Sequence, residues 1–366
     1  MKRRITRQIH IGGIKIGGDA PISVQSMTKT DTSDVGATVA QIRRLEAAGC
    51  DLVRLAIVDQ HACDSLVKIR ETTDIPLIAD IHFSYRLAIK ALEAGADGLR
   101  INPGNIGGAD KTRSVVEAAQ ERNVPIRIGV NAGSLEKDLL AKHGHPTAQA
   151  MVESCLRHVE LLESMNFYDF KVSVKASSVT TTIEAYRLLS KRIDYPLHVG
   201  VTEAGPPLVG SIKSAVGLGV LLNEGIGDTI RVSLSGDPVE EVRVGWAILR
   251  ALGLGGRGID IISCPTCGRC RADVSRVATE VERRLRHVTM PLTVAVMGCE
   301  VNGPGEAREA DVGVAFGKGW GILIKKGQIV RKYPEAEVVD TLVAEVESMV
   351  GDRKPSGPLS GSSENE

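Results

Sequence analysis

From about residue 20 to residue 254, short aliphatic runs alternate with longer stretches whose apolar side chains recur every three or four positions. The runs read as buried strands, and the stretches between them as helices with one apolar face. The predicted strands are 21–25, 51–56, 75–81, 97–102, 124–130, 169–175, 195–201 and 228–233. Helical periodicity follows each, as over 38–48, 86–94, 147–165 and 239–252. The punctuation also repeats. Gly49-Cys-Asp-Leu-Val-Arg54, Gly95-Ala-Asp-Gly-Leu-Arg100 and Gly227-Asp-Thr-Ile-Arg231 each lead from a glycine into a strand carrying an arginine. Ile75-Pro-Leu, Val124-Pro-Ile and Tyr195-Pro-Leu mark strand entry with proline, which cannot donate to a ladder. Eight strand–helix units in succession predict a (β/α)8 barrel, with an open doubly wound sheet as the alternative. No GxGxxG follows the first strand, which weakens a dinucleotide-binding version.

After Gly255-Gly-Arg-Gly258 the pattern changes. A strand over 259–262, a helix over 272–287 and a strand over 292–297 come first. A hairpin pairing 312–316 with 321–324 follows, continued by 329–331, and a closing helix covers 336–350. This predicts three segments: the barrel over 1–254, a small α+β domain over 255–350, and a tail over 351–366. The tail, rich in Gly, Ser, Pro and Glu, reads as disordered.

Charge narrows the partners. The 366 residues carry 45 basic and 45 acidic side chains, so neither nucleic acid nor an anionic membrane surface is expected as a partner. The basic start, Met1-Lys-Arg-Arg-Ile-Thr-Arg7, lacks the apolar segment of a signal peptide, and no apolar run reaches the length of a membrane span. Seven cysteines without an export signal point to a reducing, cytoplasmic setting.

The cysteines bring in chemistry. Cys264 and Cys267 form a CxxC pair, Cys299 follows at a distance, and Glu306 lies seven residues further on in a Gly- and Pro-rich loop. A tight pair plus a distant third thiol is a metal-site spacing. Three thiolates and one carboxylate differ from the usual structural zinc sets and suit an iron–sulfur cluster with one exchangeable iron. Structural zinc is the alternative. Cys270 extends the run to CxxCxxC and reads as a non-ligand thiol, while Cys50, Cys63 and Cys155 fall on apolar helical faces and read as core.

In a (β/α)8 barrel the chemistry sits at the C-terminal ends of the strands. Those ends carry Arg54, Asp80, His82, Arg100, Asn102, Arg127, Asn131, Lys175, Glu203, Arg231 and Ser233. Five cations on one mouth repel one another unless an anion joins them, and a substrate with two phosphates is the simplest such anion. His82, with Asp80 two residues before it, and Glu203 are the groups placed to move protons.

Four motifs carry a resemblance: Cys264-Pro-Thr-Cys267, Gly298-Cys-Glu-Val-Asn-Gly-Pro-Gly-Glu306, Arg127-Ile-Gly-Val-Asn131 and Gly225-Ile-Gly-Asp-Thr-Ile-Arg-Val-Ser233. Together they closely resemble the 4-hydroxy-3-methylbut-2-enyl diphosphate synthase family. The resemblance implies a 4Fe–4S cluster on Cys264, Cys267, Cys299 and Glu306. It implies reductive ring opening of 2-C-methyl-D-erythritol 2,4-cyclodiphosphate with loss of water, by two electrons from a flavodoxin or ferredoxin. Arg54, Arg100, Arg127, Asn131, Lys175, Arg231 and Ser233 would bind the diphosphate and hydroxyls. Glu203 would be the acid, with Asp80, His82 and Asn102 near the reacting carbons. It also implies a head-to-tail homodimer. The short linker over 253–258 leaves the last barrel helix, which runs away from the mouth, and this fits pairing between chains. The rival readings are a barrel enzyme for another phosphorylated or pterin-like substrate with a zinc domain, and a non-catalytic metal-sensing or scaffold protein.

Overall fold

The computed structural model describes residues 2–352, which fold into two compact units that divide after Gly255. Residues 353–366, most of the expected tail, lie outside the described residues.

The first unit opens with a small antiparallel hairpin, β1 (Ile9–Ile11) and β2 (Ile14–Ile16). Eight strands follow: β3 (Ser23–Met27), β4 (Leu52–Ala56), β5 (Leu77–Asp80), β6 (Gly98–Ile101), β7 (Ile126–Asn131), β8 (Phe170–Lys175), β9 (His198–Val199) and β10 (Thr229–Ile230). Between and after them run α1 (Val35–Ala47), α2 (Gln60–Arg70), α3 (Tyr85–Glu93), α4 (Pro103–Ile106), α5 (Ala109–Glu121), α6 (Lys137–His143), α7 (Ala148–Glu163), α8 (Val179–Ser190), α9 (Pro207–Asn223) and α10 (Pro238–Ala251). The strands pair in parallel in the order β8-β7-β6-β5-β4-β3-β10-β9, and a parallel bridge from Val172 to Leu197 closes the ring. This is the (β/α)8 barrel expected from the alternation.

The local reasons are those visible in the chain. Pro76 and Pro125 sit immediately before β5 and β7, and Pro196 lies two residues before β9. Asp34, Asp59, Ser84, Thr147 and Ser178 cap helices by accepting a backbone N–H through the side chain. The last two strands are shorter than expected, two residues each, paired at His198–Thr229 and Val199–Ile230.

The hairpin was not expected, although Ile9-His-Ile-Gly-Gly-Ile-Lys-Ile16 is a strong hairpin pattern. Gly12 and Gly13 both hold positive φ, +51° and +85°, which a tight two-residue turn requires. Ile9, Ile11 and Ile16 pack on Leu52 and Ile78, near the starts of β4 and β5. The hairpin is therefore an apolar floor under the barrel, at the end opposite the strand C-termini.

The second unit is a five-stranded mixed sheet, β11 (Ile259–Ser263), β12 (Leu292–Met297), β13 (Val312–Gly317), β14 (Trp320–Lys325) and β15 (Gln328–Pro334), in that order. The first three run parallel and the last two antiparallel. Its helices are α11 (Val274–Arg284), the short α12 (Gly303–Glu306) and α13 (Val338–Asp352). Val277, Val281 and Leu285 meet Val294, Val314, Phe316, Leu342 and Val346 in its main core. Ala295, Met297, Ala307, Ala310, Ala315 and Ile324 form a second, smaller cluster.

Candidate active site

Alternation along the barrel strands sets one family of side chains to a single face. Arg127, Gly129 and Asn131 share it on β7; Lys171, Ser173 and Lys175 share it on β8. Asp80 stands opposite Arg100 in the β5–β6 register, and Arg100 opposite Arg127 in the next. Two glycines make room for the cations. A Cβ at Gly129 would meet the Arg100 guanidinium at 2.7 Å, and one at Gly200 would meet Lys175 Nζ at 2.8 Å. Each cation therefore lies across a glycine of the neighbouring strand.

The charges are unevenly matched. Asp80, 3% exposed, pairs with Arg54 at 3.5 Å and Arg100 at 3.2 Å, and His82 Nε2 approaches it at 3.8 Å. Burial alone would raise its pKa; Arg54, Arg100 and His82 together more than offset that and keep it below the ordinary value. On the other side Glu241 of α10, equally buried, pairs with Lys29 at 3.0 Å and Arg231 at 3.8 Å. It also accepts from Ser26 Oγ at 3.0 Å and the Leu234 N–H at 3.1 Å. Arg127 donates to Ser173 Oγ at 3.1 Å but, among the described residues, forms no ion pair, and neither does Lys171 or Lys175. Burial holds the Arg54 guanidinium down to about 9 despite Asp80. Burial first, and Arg127 next, holds Lys175 well below the usual lysine range.

Arg100 Nε, Arg127 Nη1 and Arg231 Nε are buried donors without a partner. Buried unpaired donors are costly, and an anion would satisfy them.

The other expected residues are placed variously. Asn131 and Ser233 are half-buried at the ends of β7 and beyond β10. Asn102 is buried and already engaged: its Oδ1 accepts from the Gly104 N–H at 3.1 Å, capping α4, and its Nδ2 donates to Ser134 Oγ at 3.3 Å. His82 is exposed, its ring 5.9 Å from that of Phe83. Glu203 is exposed in left-handed backbone, φ +51°, and makes no ion pair with Lys175 or Arg231 among the described residues. Sequence reasoning missed Gln25, Lys171, His198 and Glu241. Counting back by twos from Lys175 and Gly200 would have found Lys171 and His198 on the same face.

In the second unit, β11 ends directly at Cys264, and β12 ends two residues before Cys299. These strands are parallel neighbours, and the Cys264 N–H donates to Val296 O at 3.0 Å. Thr266, at φ +64°, turns the CxxC loop, and the Cys270 N–H returns to Cys267 O at 2.9 Å. Cys267 and Glu306 are exposed, Cys264 half-buried and Cys299 buried. The N–H groups of Asn302 and Val301, with that of Gly303, lower the Cys299 thiol pKa and favour the thiolate. The Cys270 sulfur lies 2.5 Å from where a Cβ on Gly298 would stand, and it donates to Ala272 O at 3.1 Å. Among the described residues, no three His, Cys, Asp or Glu side chains converge to a metal-binding geometry. The donor set nonetheless fits a soft metal centre, with thiols at adjacent strand ends and backbone N–H groups directed at Cys299. Cys50, Cys63 and Cys155 are buried, and burial pushes the Cys50 thiol up to about 12 and Cys63 to about 11.

Among the described residues no helix is long and apolar enough to cross a membrane. Residues 6–246 match the GcpE TIM-barrel domain, and residues 260–348 match the GcpE protein C-terminal domain. A relative in Geobacter sulfurreducens, named 4-hydroxy-3-methylbut-2-en-1-yl diphosphate synthase (flavodoxin), is 62% identical over 348 residues, 95% of this chain and 99% of its own. Proteins of the same name in Symbiobacterium thermophilum and Clostridium perfringens are 60% identical over 357 residues and 55% over 349. They cover 98% and 95% of this chain, and 96% and 100% of their own. A solved dihydropteroate synthase from Yersinia pestis aligns with 68% of this chain and 99% of its own at 14% identity and a TM-score of 0.48, too slight a likeness to bear on substrate. On both domain matches and on these relatives, the chain belongs to the GcpE family of 4-hydroxy-3-methylbut-2-en-1-yl diphosphate synthases.

Proposed function

We propose that this chain opens the ring of 2-C-methyl-D-erythritol 2,4-cyclodiphosphate reductively and dehydrates it to 4-hydroxy-3-methylbut-2-enyl diphosphate. Two electrons enter, a ring carbon–oxygen bond to phosphate breaks, and a hydroxyl takes a proton and leaves as water. The observation that carries this reading is the set of buried, unpartnered guanidinium donors at one barrel end, which calls for a polyanion. The relatives' shared name supports the product and a flavodoxin as donor.

In this reading Arg54, Arg100, Arg127, Lys175 and Arg231 bind the two phosphates, and Asn131 and Ser233 hold oxygens at the rim. Asp80 keeps Arg54 and Arg100 in place, so the guanidinium groups are set before substrate arrives. His82 and Asn102 stand beside the reacting carbons. Glu203 is the general acid toward the departing hydroxyl: it carries no competing ion pair and its loop is held in a strained turn. Cys264, Cys267, Cys299 and Glu306 would hold a 4Fe–4S cluster, which delivers electrons singly when bound. In this reading Cys270, which donates to Ala272 O, is a non-ligand thiol. The working assembly is a head-to-tail homodimer in the cytoplasm, with flavodoxin or ferredoxin as the donor.

The test is metal and sulfide content together with turnover. Anaerobically purified chain should carry about four irons with acid-labile sulfide and convert the cyclic diphosphate when given reduced flavodoxin. Cys264→Ser, Cys267→Ser and Cys299→Ser should each bleach the visible spectrum, while Cys270→Ser should not. Stoichiometric zinc without sulfide would sink this reading.

A further inference from the structure

Beneath the mouth cations lie two further bases that the reading above leaves unused. Lys171 stands at the second position of β8 and His198 at the first of β9, and these strands are bridged through Val172 and Leu197. Both are fully enclosed, at 1% and 0% exposure. Lys171 Nζ has one hydrogen bond, to Thr229 Oγ1 at 3.3 Å. Thr229 Oγ1 in turn accepts from Ser23 Oγ at 3.0 Å. Neither ring nitrogen of His198 has a partner, and Gln25 on β3 has neither amide atom engaged.

We propose that Lys171 and His198 form a second tier under the substrate site, which takes a proton from solvent when the anion binds. The diphosphate is then met by more positive charge than the free protein carries. The proposal rests on the reading of the mouth as a diphosphate site, and it concerns two residues that do not touch the substrate.

The surroundings give the reason. Arg127 stands opposite Lys171 in the β7–β8 register and Lys175 lies on the same face of β8; Arg127 and Arg54 disfavour a charge on Lys171, and both with Lys175 disfavour one on His198. Asp228, just before β10, is the carboxylate nearest Lys171 in effect, but it is held by Arg3 at 3.1 Å, Thr6 Oγ1 at 3.2 Å and the Leu197 N–H at 2.8 Å. From α8, Tyr186 is engaged through its hydroxyl, which donates to the His198 carbonyl at 2.6 Å. Burial first, then Arg127, holds Lys171 well below the lysine range, and burial, Arg127 and Lys175 do the same to His198. Full enclosure without an ion pair among the described residues, beside these cations, favours the neutral form of both in the free protein. A bound dianion reverses the field from Arg127 and Lys175 and raises both affinities for a proton. The sign follows: protons are gained on binding, so affinity rises as pH falls through the window between the free and bound pKa values.

Calorimetry of the holoprotein with the cyclic diphosphate tests this. Each phosphate of that ligand carries a single strongly acidic hydroxyl, so the ligand itself gains no proton near neutrality. Titrations near neutral pH in buffers of different ionisation enthalpy read the proton count from the slope of heat against that enthalpy. The wild type should take up about one proton, with affinity rising by up to roughly tenfold per pH unit on acidification. Lys171→Met and His198→Gln, separately and together, should keep binding but lower the proton count, and the double variant should lose at least half of it. The pH dependence of affinity should flatten in parallel, which a merely structural role would not produce. Binding with no buffer dependence overturns the proposal. Full uptake in a folded double variant also overturns it, and assigns the proton to Lys175. Absence of binding in every buffer overturns the diphosphate reading and the second tier with it.

Discussion

Glu203 holds a backbone conformation that glutamate seldom adopts, and it does so in solvent with no counter-charge among the described residues. Strain of this kind persists where the surroundings over-determine it, and it gathers at functional sites. Glu203→Gln preserves shape and removes the proton. Turnover should fall by roughly 10²–10⁴ for a lost general acid, while affinity for the cyclic diphosphate stays close to wild type. Near-normal turnover would make it a surface residue. Arg127 and Lys175 answer a different question, because among the described residues they form no ion pair, and Arg127 has only the hydroxyl of Ser173 to lose. Arg127→Ala and Lys175→Ala should each weaken binding by roughly 1.5–3 kcal/mol, the worth of a charged hydrogen bond, with iron content unchanged. Equal affinity in both variants would show that these cations serve the fold. Asp80, Arg54, Arg100, Arg127, Lys175 and Arg231 were legible one at a time, because each is a charge set within or at the end of a β-rich run. Glu241 was not, because a glutamate in the first turn of a helix looks like an ordinary favourable end charge; only the closed barrel shows Ser26, Lys29 and Arg231 converging on it.

Among the elements, the glycines of β7 and the residue after β9 decide how far two cations reach. Gly129→Ala leaves a permitted backbone but puts a methyl 2.7 Å from Arg100 Nε, so the guanidinium must swing from Asp80. Substrate affinity should fall by roughly tenfold or more, the equivalent of one charged contact. Circular dichroism and the melting temperature should stay close to wild type. An unchanged dissociation constant would show that Arg100 relocates freely. The barrel strands and the parallel strands that end at the cysteines were readable because alternation and proline entry are local signals. The floor hairpin is hard to read because its strands are only three residues each and stand outside the strand–helix repeat. The shortness of β9 and β10 was unreadable for a different reason. Apolar runs there continue past the ladder, and only the neighbouring strand shows where pairing stops.

At the level of the molecule, each unit has its own core and carries one half of the proposed chemistry. If the working site joins the barrel of one chain to the thiols of another, two dead variants should rescue each other. Glu203→Gln chains mixed with Cys264→Ser chains, after subunit exchange, form dimers in which one site has an intact barrel and an intact cluster. Part of the activity should return. A fully exchanged mixture that stays inactive would confine each site to a single chain. The short linker over 253–258 favours the arrangement between chains, and subunit exchange decides it.

The isoleucine floor under the barrel has a consequence for traffic. Ile9, Ile11 and Ile16 close the lower end of the barrel on Leu52 and Ile78, so the proposed substrate site is a blind well whose doorway is the mouth at the strand C-termini. Substrate, product and released water share that doorway and must use it in turn. New substrate cannot push product out from behind, so a slow-leaving product holds the well against the next molecule. If the mouth takes the cyclic diphosphate as proposed, product should inhibit competitively with substrate, and initial rates at several fixed product concentrations check it.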